Sequence, residues 1–367
     1  LQDAESMKAA LDLFRALGSA NTDCRQDGAA LGHGPREGWL MNSGIAGIER
    51  ADAVLLVGVD PRREAPLVNT RLRKSWLNGK TEISVIGQKS DLTYDYNWLG
   101  AGTKTLSKLP KATVDALSKA ERPAIIVGAG ALNGASGAAV LNALGALAKK
   151  VGAVKDGWNG FNVLHHAAAR VGGLDMGFVP GAGGLTVAEM LKPKALDVLF
   201  LLGADEVEAT ASNAFRVYLG SHGDRGAHGA DVILPGAAYT EKPGLYVNTE
   251  GRVQTAERVV FPKGEAKEDW AVIRALSERV GQTLPYDTLD QLRAKLMADH
   301  PTFGRIDYVA PAATFDVGSL GAKGDLGEAD FVSPVADPYL SNPIARASTT
   351  MAELSAQRIA PAAMAAE

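Results

Sequence analysis

The sequence predicts an α/β protein of doubly wound, mainly parallel sheets, ending in an extended C-terminal tail. Three observations predict it. Near-continuous apolar runs of strand length recur at 51–61 (ADAVLLVGVDP), 82–87 (EISVIG), 122–132 (RPAIIVGAGAL) and 195–206 (ALDVLFLLGADE). Runs of this kind belong to sheets covered on both faces. Helical stretches alternate with them, which is the strand–helix–strand pattern of a parallel sheet. After about residue 300 prolines, glycines and isolated aromatics replace any periodicity.

The elements follow in order. Residues 4–19 have helical spacing, with Met7, Leu11, Leu13, Phe14 and Leu17 forming an apolar stripe. A glycine-containing loop spans 21–39, and the strand that follows stops at Asp60-Pro61. The stretch 65–79 reads as a helix ending at Gly79. Helices are expected again over 137–153 and 268–282, and strands over 214–222 and 230–236. The chain divides into a first α/β subdomain (1–120), a second (121–300) and the tail (301–367). Spaced Phe303, Tyr308, Phe315, Phe331 and Tyr339 suggest a tail anchored on a surface, since a solvated linker carries fewer aromatics. A short helix is expected near 348–360, and alanine-rich 360–366 should fray.

Composition excludes several classes. The 367 residues are 46% hydrophobic with a net charge of −4, without the basic surplus of a nucleic-acid binder. No apolar run reaches the ~18 residues of a membrane helix. One cysteine, Cys24, excludes a disulfide framework. It also excludes a self-contained iron–sulfur cluster, which needs about four thiolates. Residue 1 falls just before a helix with no strand ahead of it. This suggests a segment of a longer chain, with the apolar face of helix 4–19 and a strand edge awaiting partners upstream.

Candidate chemistry is sparse. GAGALNG (128–134) sits between a strand and a helix, but its third glycine comes one place late and no acidic ribose partner follows, so it reads as a tight turn. His165 and His166 read as helical neighbours, pointing about 100° apart and unable to chelate one metal together. His222, Asp224 and His228 lack a further ligand nearby. There is no G-x-S-x-G elbow and no P-loop. Cys24 has no histidine close in sequence, though His33 can approach it in space, and a neutral thiol is the expected state. Arg62 and Arg63 stand at a strand's carboxyl end, where they can hold an anion or fill the crevice. Glu241, Gly244, Asn248, Glu250, Gly251 and Arg252 crowd one loop that can cradle a ligand or lock a turn.

That loop also carries a resemblance. ADVILPGAAYTEKPGLYVNTEGRVQ (230–254) resembles the molybdopterin-dependent oxidoreductases, in which an E-x-x-G-x-x-x-N-x-E-G-R loop lies near the pterin. Residues 42–76, DLTYDYNWLG, LLGADE, HGDRGAHGADVILPGAAYTEK and DPYLSNPIARASTTMAEL resemble one branch of it, the large peripheral-arm subunits of respiratory complex I. The resemblance runs from about residue 20 to 354. It implies a role in NADH:quinone oxidoreductase, with iron–sulfur clusters in a region upstream of this chain. It implies as partners the other peripheral-arm subunits, including the flavin- and NADH-binding one. It also implies a place on the cytoplasmic face of a bacterial inner membrane, without insertion and without nucleic acid. Cys24 falls before the position of the family's metal ligand, and Asp27 to Ala30 supply no thiolate. The expectation is therefore no catalytic, cofactor-binding or metal-ligating residue in this chain, with Arg252 bridging Glu241 and Glu250 to hold the loop as scaffold. The alternative is a fragment of a molybdopterin-dependent oxidoreductase that binds a pterin.

Overall fold

The computed structural model of the chain describes residues 2–209, 211–311 and 313–359, so Leu1 and the stretch 360–366 expected to fray lie outside it. Helix α1 (Ala4–Ala16) leads. The first sheet is built from β1 (Ala53–Val57), β2 (Glu82–Ile86), β3 (Asn97–Gly100), β4 (Pro123–Val127) and, after a small hairpin of β5 (Val154–Lys155) and β6 (Trp158–Asn159), β7 (Phe161–Val163). Its order is β3-β2-β1-β4-β7, and every pairing is parallel. Helices α2 (Pro61–Glu64), α3 (Pro66–Leu77), α4 (Thr103–Ser107), α5 (Lys111–Lys119), α6 (Ala129–Leu132) and α7 (Gly137–Lys150) connect these strands.

The continuous apolar character of β1 has a direct cause. Leu55 and Val57 pack with Val140 and Leu144 of α7 on one face, while Val54 and Leu56 meet Val68 and Leu72 of α3 on the other. The sheet is doubly wound, as expected. Asp60 stops β1 and caps α2 by accepting from the N–H groups of Arg62 and Arg63, with Pro61 in the first turn. The division expected at residue 120 cuts this sheet, because β4 pairs with β1 along its whole length.

The second sheet holds β8 (Val198–Leu202), β9 (Phe215–Gly220) and β10 (Val232–Pro235), parallel and ordered β10-β9-β8. It follows α8 (Arg170–Asp175) and α9 (Val187–Met190), with α10 (Arg225–His228) inserted before β10. Val232 and Ile233 of β10 are 38% and 55% exposed. β10 is an edge strand, which also accommodates Pro235. An antiparallel hairpin of β11 (Gly244–Val247) and β12 (Val253–Ala256) comes next, then α11 (Asp269–Arg279) and α12 (Leu289–Asp299).

The apolar face of α1, expected to await an upstream sheet, is covered within the described residues. Ala9, Ala10 and Leu13 pack with Ile273 of α11 and Leu292 of α12, and Met7 and Leu11 with Leu245 and Val247 of β11. Only its end behaves otherwise, since Leu17 is 46% exposed. The helix is buried beyond its stripe: Glu5 and Lys8 are inside, Glu5 paired with Arg293 and Lys8 with Asp12 and Asp299.

The tail runs largely without regular structure to α13 (Pro343–Arg346) and α14 (Thr349–Arg358). Phe303, Phe315 and Phe331 anchor it on the chain itself, whereas Tyr308 is 46% exposed. Phe303 and Phe331 are buried, and Phe315 meets Phe161 edge-on at 6.4 Å.

Candidate functional site

The crowded loop is the turn of the β11–β12 hairpin. Asn248 closes it: its side-chain oxygen accepts from the N–H groups of Glu250 and Arg252, each at 3.0 Å. Gly251 adopts φ +80°, and a Cβ there would lie 2.9 Å from the Arg36 guanidinium, so the position requires glycine. The turn then fastens neighbouring segments. The Glu250 carboxylate accepts from Ile45 N–H at 2.7 Å, the Thr249 carbonyl from Met41 N–H at 2.8 Å, and the Gly251 carbonyl from Arg36 at 3.0 Å. Arg36 forks onto Asp175 at 2.7 and 2.9 Å, and Trp39 donates to the same carboxylate at 3.0 Å. The loop's polar groups are turned to the protein.

Arg252 does not bridge two carboxylates. It stands 3.6 Å from Glu250 with its side chain 39% exposed, while Glu241 accepts from Ala238 N–H in its own turn. The buried cation of this region is Lys242. It pairs with Asp3 at 2.8 Å and with Asp269, all three side chains being 1–3% exposed. Burial alone would lower the ammonium, but Asp3 and then Asp269 outweigh it and hold it above its ordinary value. Burial pushes Asp269 up to about 6 despite the facing lysine. Burial opposes ionisation of Asp3 as well, yet Lys242 and donors from Ser6 bring it below the usual range. The sequence reading missed Lys242, because its partners lie far away along the chain.

In open α/β sheets the ligand crevice lies outside the carboxyl ends of the strands. Here the tail occupies the corresponding ground over the first sheet. The Phe331 N–H donates to Ala101 just past β3, and the Thr103 N–H to Ala329, at 2.9 and 3.1 Å. Ser333 donates from its hydroxyl to Glu64 past β1 at 2.7 Å, and its N–H faces Gln88 past β2 at 3.4 Å. A Cβ on Gly130, past β4, would meet the Val332 carbonyl at 2.4 Å. GAGALNG thus forms the short turn of α6 after β4, where Gly128 and Gly130 admit neighbouring backbone. Arg62 reaches Asp91 at 2.5 Å and Arg63 faces Asp60 at 3.7 Å, so neighbouring carboxylates engage both.

The second sheet is closed the same way. Pro343 and Ile344 lie over the residues that follow β8, β9 and β10, leaving a polar cavity of about 30 Å³ beside Asp205, His222 and Lys242. Arg346 clamps this end, reaching Glu206 at 2.7 Å and Asp224 at 2.5 Å. Asp224 is therefore engaged by the tail, and His222 bonds Ser221 at 2.8 Å.

His165 and His166 follow β7 in a loop, where a helix was expected. Burial pushes His165 down to about 4, and its Nε2 lies 2.7 Å from the Trp39 carbonyl. Burial also lowers His166, which stands 3.9 Å from Asp27. Asp27 holds buried Arg170 at 2.8 Å. The Cys24 thiol is pushed up to about 12 by burial, leaving it neutral. Among the described residues no three His, Cys, Asp or Glu side chains gather as a metal site. The tail lies over both crevices, with a cavity of about 320 Å³ left between residues 130–136 and 329–334, and Cys24 is the one thiol of the chain.

Comparison with known proteins agrees with this architecture. A family profile described as Molybdopterin oxidoreductase matches residues 1–279, and a profile for the C-terminal part of an NADH-ubiquinone oxidoreductase subunit matches 308–354. The mitochondrial NADH-ubiquinone oxidoreductase 78 kDa subunit of Candida albicans is 41% identical over 367 residues, covering 96% of this chain and 50% of that protein. The mitochondrial NADH dehydrogenase [ubiquinone] iron-sulfur protein 1 of Solanum tuberosum is 38% identical, covering 97% of this chain and 48% of its own length. The 78 kDa subunit of Neurospora crassa is 39% identical, with 98% and 49% covered. The chain spans about half the length of these relatives. With a family profile running through both sheets and the hairpin, the chain belongs to the molybdopterin oxidoreductase family.

Proposed function

We propose that this chain is a structural, cofactor-free part of the peripheral arm of NADH:quinone oxidoreductase, the complex that passes electrons from NADH through flavin and iron–sulfur clusters to quinone while translocating protons. The observation that carries the reading is the tail, which lays the chain's own residues over the carboxyl ends of both sheets. The matches to complex I subunits, and an NADH-ubiquinone oxidoreductase profile falling on that same tail, support the assignment to this complex. In this reading the iron–sulfur clusters belong to a region upstream of the sequence described. The chain braces neighbouring subunits of the arm, including the flavin- and NADH-binding one, on the cytoplasmic or matrix side of the membrane. Among the described residues no helix is long and apolar enough to cross it.

Metal analysis of the purified complex tests the cofactor-free reading. Molybdenum and tungsten should be absent at stoichiometric level, while iron tracks the clusters upstream. One molybdenum per complex, lost on substitution in the 241–252 loop, would replace this reading with that of a pterin-binding oxidoreductase.

A further inference from the structure

A mainly apolar cavity has no tail residue in its lining. It measures about 180 Å³ and lies between α1, the loop 19–26, α9 and β8, reaching Gly203, Ala204 and Val207 past that strand's carboxyl end. Phe14, Phe178, Met190, Leu199 and Leu201 line it, with the thiol-bearing Cys24 at its wall. Several polar side chains at its rim are already engaged. Asn21 accepts from Leu185 N–H at 2.9 Å, Thr22 faces the Val179 carbonyl at 3.3 Å, and Gln26 accepts from Glu206 N–H at 3.2 Å. Both Asp23 oxygens hold Arg25, at 2.7 and 3.0 Å.

A buried water needs two to four polar partners, and this lining leaves few. An apolar cavity of about 150 Å³ stays dry and takes up benzene or xenon. Aromatic and thioether groups supply polarisable contacts to such a guest. We propose that this cavity is a binding site for a small, neutral, apolar molecule the size of one or two fused rings. A charged ligand is excluded on the same grounds as water, because no counter-ion in the lining is free. The site adjoins the small cavity beneath Pro343 and Ile344, sharing Gln2 and Gly203 with it, and does not depend on the function proposed above.

Cys24 reports on occupancy. In the intact complex it would be labelled with methyl methanethiosulfonate, a small uncharged thiol reagent, and followed by peptide mass spectrometry. Indole is the probe and benzoate its charged counterpart. With a dissociation constant of about 1 mM, roughly 5 mM indole leaves about one-sixth of the sites free. Cys24 labelling should therefore slow about sixfold, while benzoate leaves it unchanged and cysteines elsewhere in the complex are unaffected. Ala10→Leu, which fills part of the cavity, should slow labelling without indole and shrink the indole effect. If that variant does not assemble, the wild-type comparison still decides. Labelling equally fast with and without indole overturns the proposal. So does a Cys24 that reacts only after unfolding, because the cavity would then be closed to small neutral molecules.

Discussion

Lys242 and Arg252 belong to one hairpin region but obey different energetics. Arg252 is 39% exposed and meets Glu250 at 3.6 Å, so solvent screens the pair. Arg252→Ala should lower stability by no more than about 1 kcal/mol. Lys242→Ala leaves Asp3 and Asp269 buried without their cation, and breaking such a pair from one side costs roughly 3–5 kcal/mol. Urea unfolding of the two variants should separate them clearly; equal losses would contradict this ranking. His165 yields a second expectation. Its folded form titrates at about 4, below an ordinary value near 6.5. Between these values the unfolded chain binds more protons, so its contribution is complete above about pH 6.5 and fades as pH falls towards 4. Asp269, raised to about 6, acts in the opposite sense, and its contribution fades as pH rises from about 4 to 6. The difference between wild type and His165→Gln isolates the histidine. It should change by about 1–2 kcal/mol between pH 7 and 4, allowing for partial exposure; a constant difference would refute the assignment. The residue-level features were only partly legible. Gly251 and Asn248 act within their own turn, so sequence exposes them, whereas Lys242 and Asp3 are partners only in three dimensions.

At the scale of elements, the tail is held mainly by Phe331 and by backbone contacts at Gly102 and Gly130. Phe331 is 3% exposed, and Phe331→Ala should cost about 3–5 kcal/mol in tail docking. Gly130→Ala places a Cβ 2.4 Å from the Val332 carbonyl and should loosen the same segment. Amide exchange should then accelerate at 329–335 and 101–103, with β1 and β4 unchanged. Acceleration throughout the first sheet would mean that the tail is part of its core. Elements with strong local signals were readable: β1, β2, β4 and β8 are dense apolar runs, and α7 and α11 show helical spacing. β3, β7 and α12 were not, since two are short strands and α12 carries its buried Leu292 and Leu296 among mostly polar neighbours. The hairpin reads as loop in sequence because each strand has only four residues and the turn between them is dense in glycine and polar side chains.

At the scale of the molecule, two sheets built on one plan are closed by one continuous strap. Phe331 secures it over the first sheet and Arg346 over the second, and the two share no partner. Arg346→Ala combined with Phe331→Ala should therefore lose the sum of the single losses to within about 0.5 kcal/mol. A coupling well above that would show that the strap docks as one unit. The tail's anchoring was legible in its spaced aromatics. Its destination was not, because the partners of its side chains, such as Glu64 for Ser333 and Glu206 and Asp224 for Arg346, lie far back along the chain.

The strap also sets an order of events during synthesis. The last strand ends at Ala256, and Arg346 follows about 90 residues later. At roughly 5–20 residues per second, a ribosome needs on the order of 5–20 s to cover that distance. A nascent chain can complete both sheets in that interval while their carboxyl-end crevices stand open to solvent. A transcript broken between the hairpin and the strap would make that open state permanent.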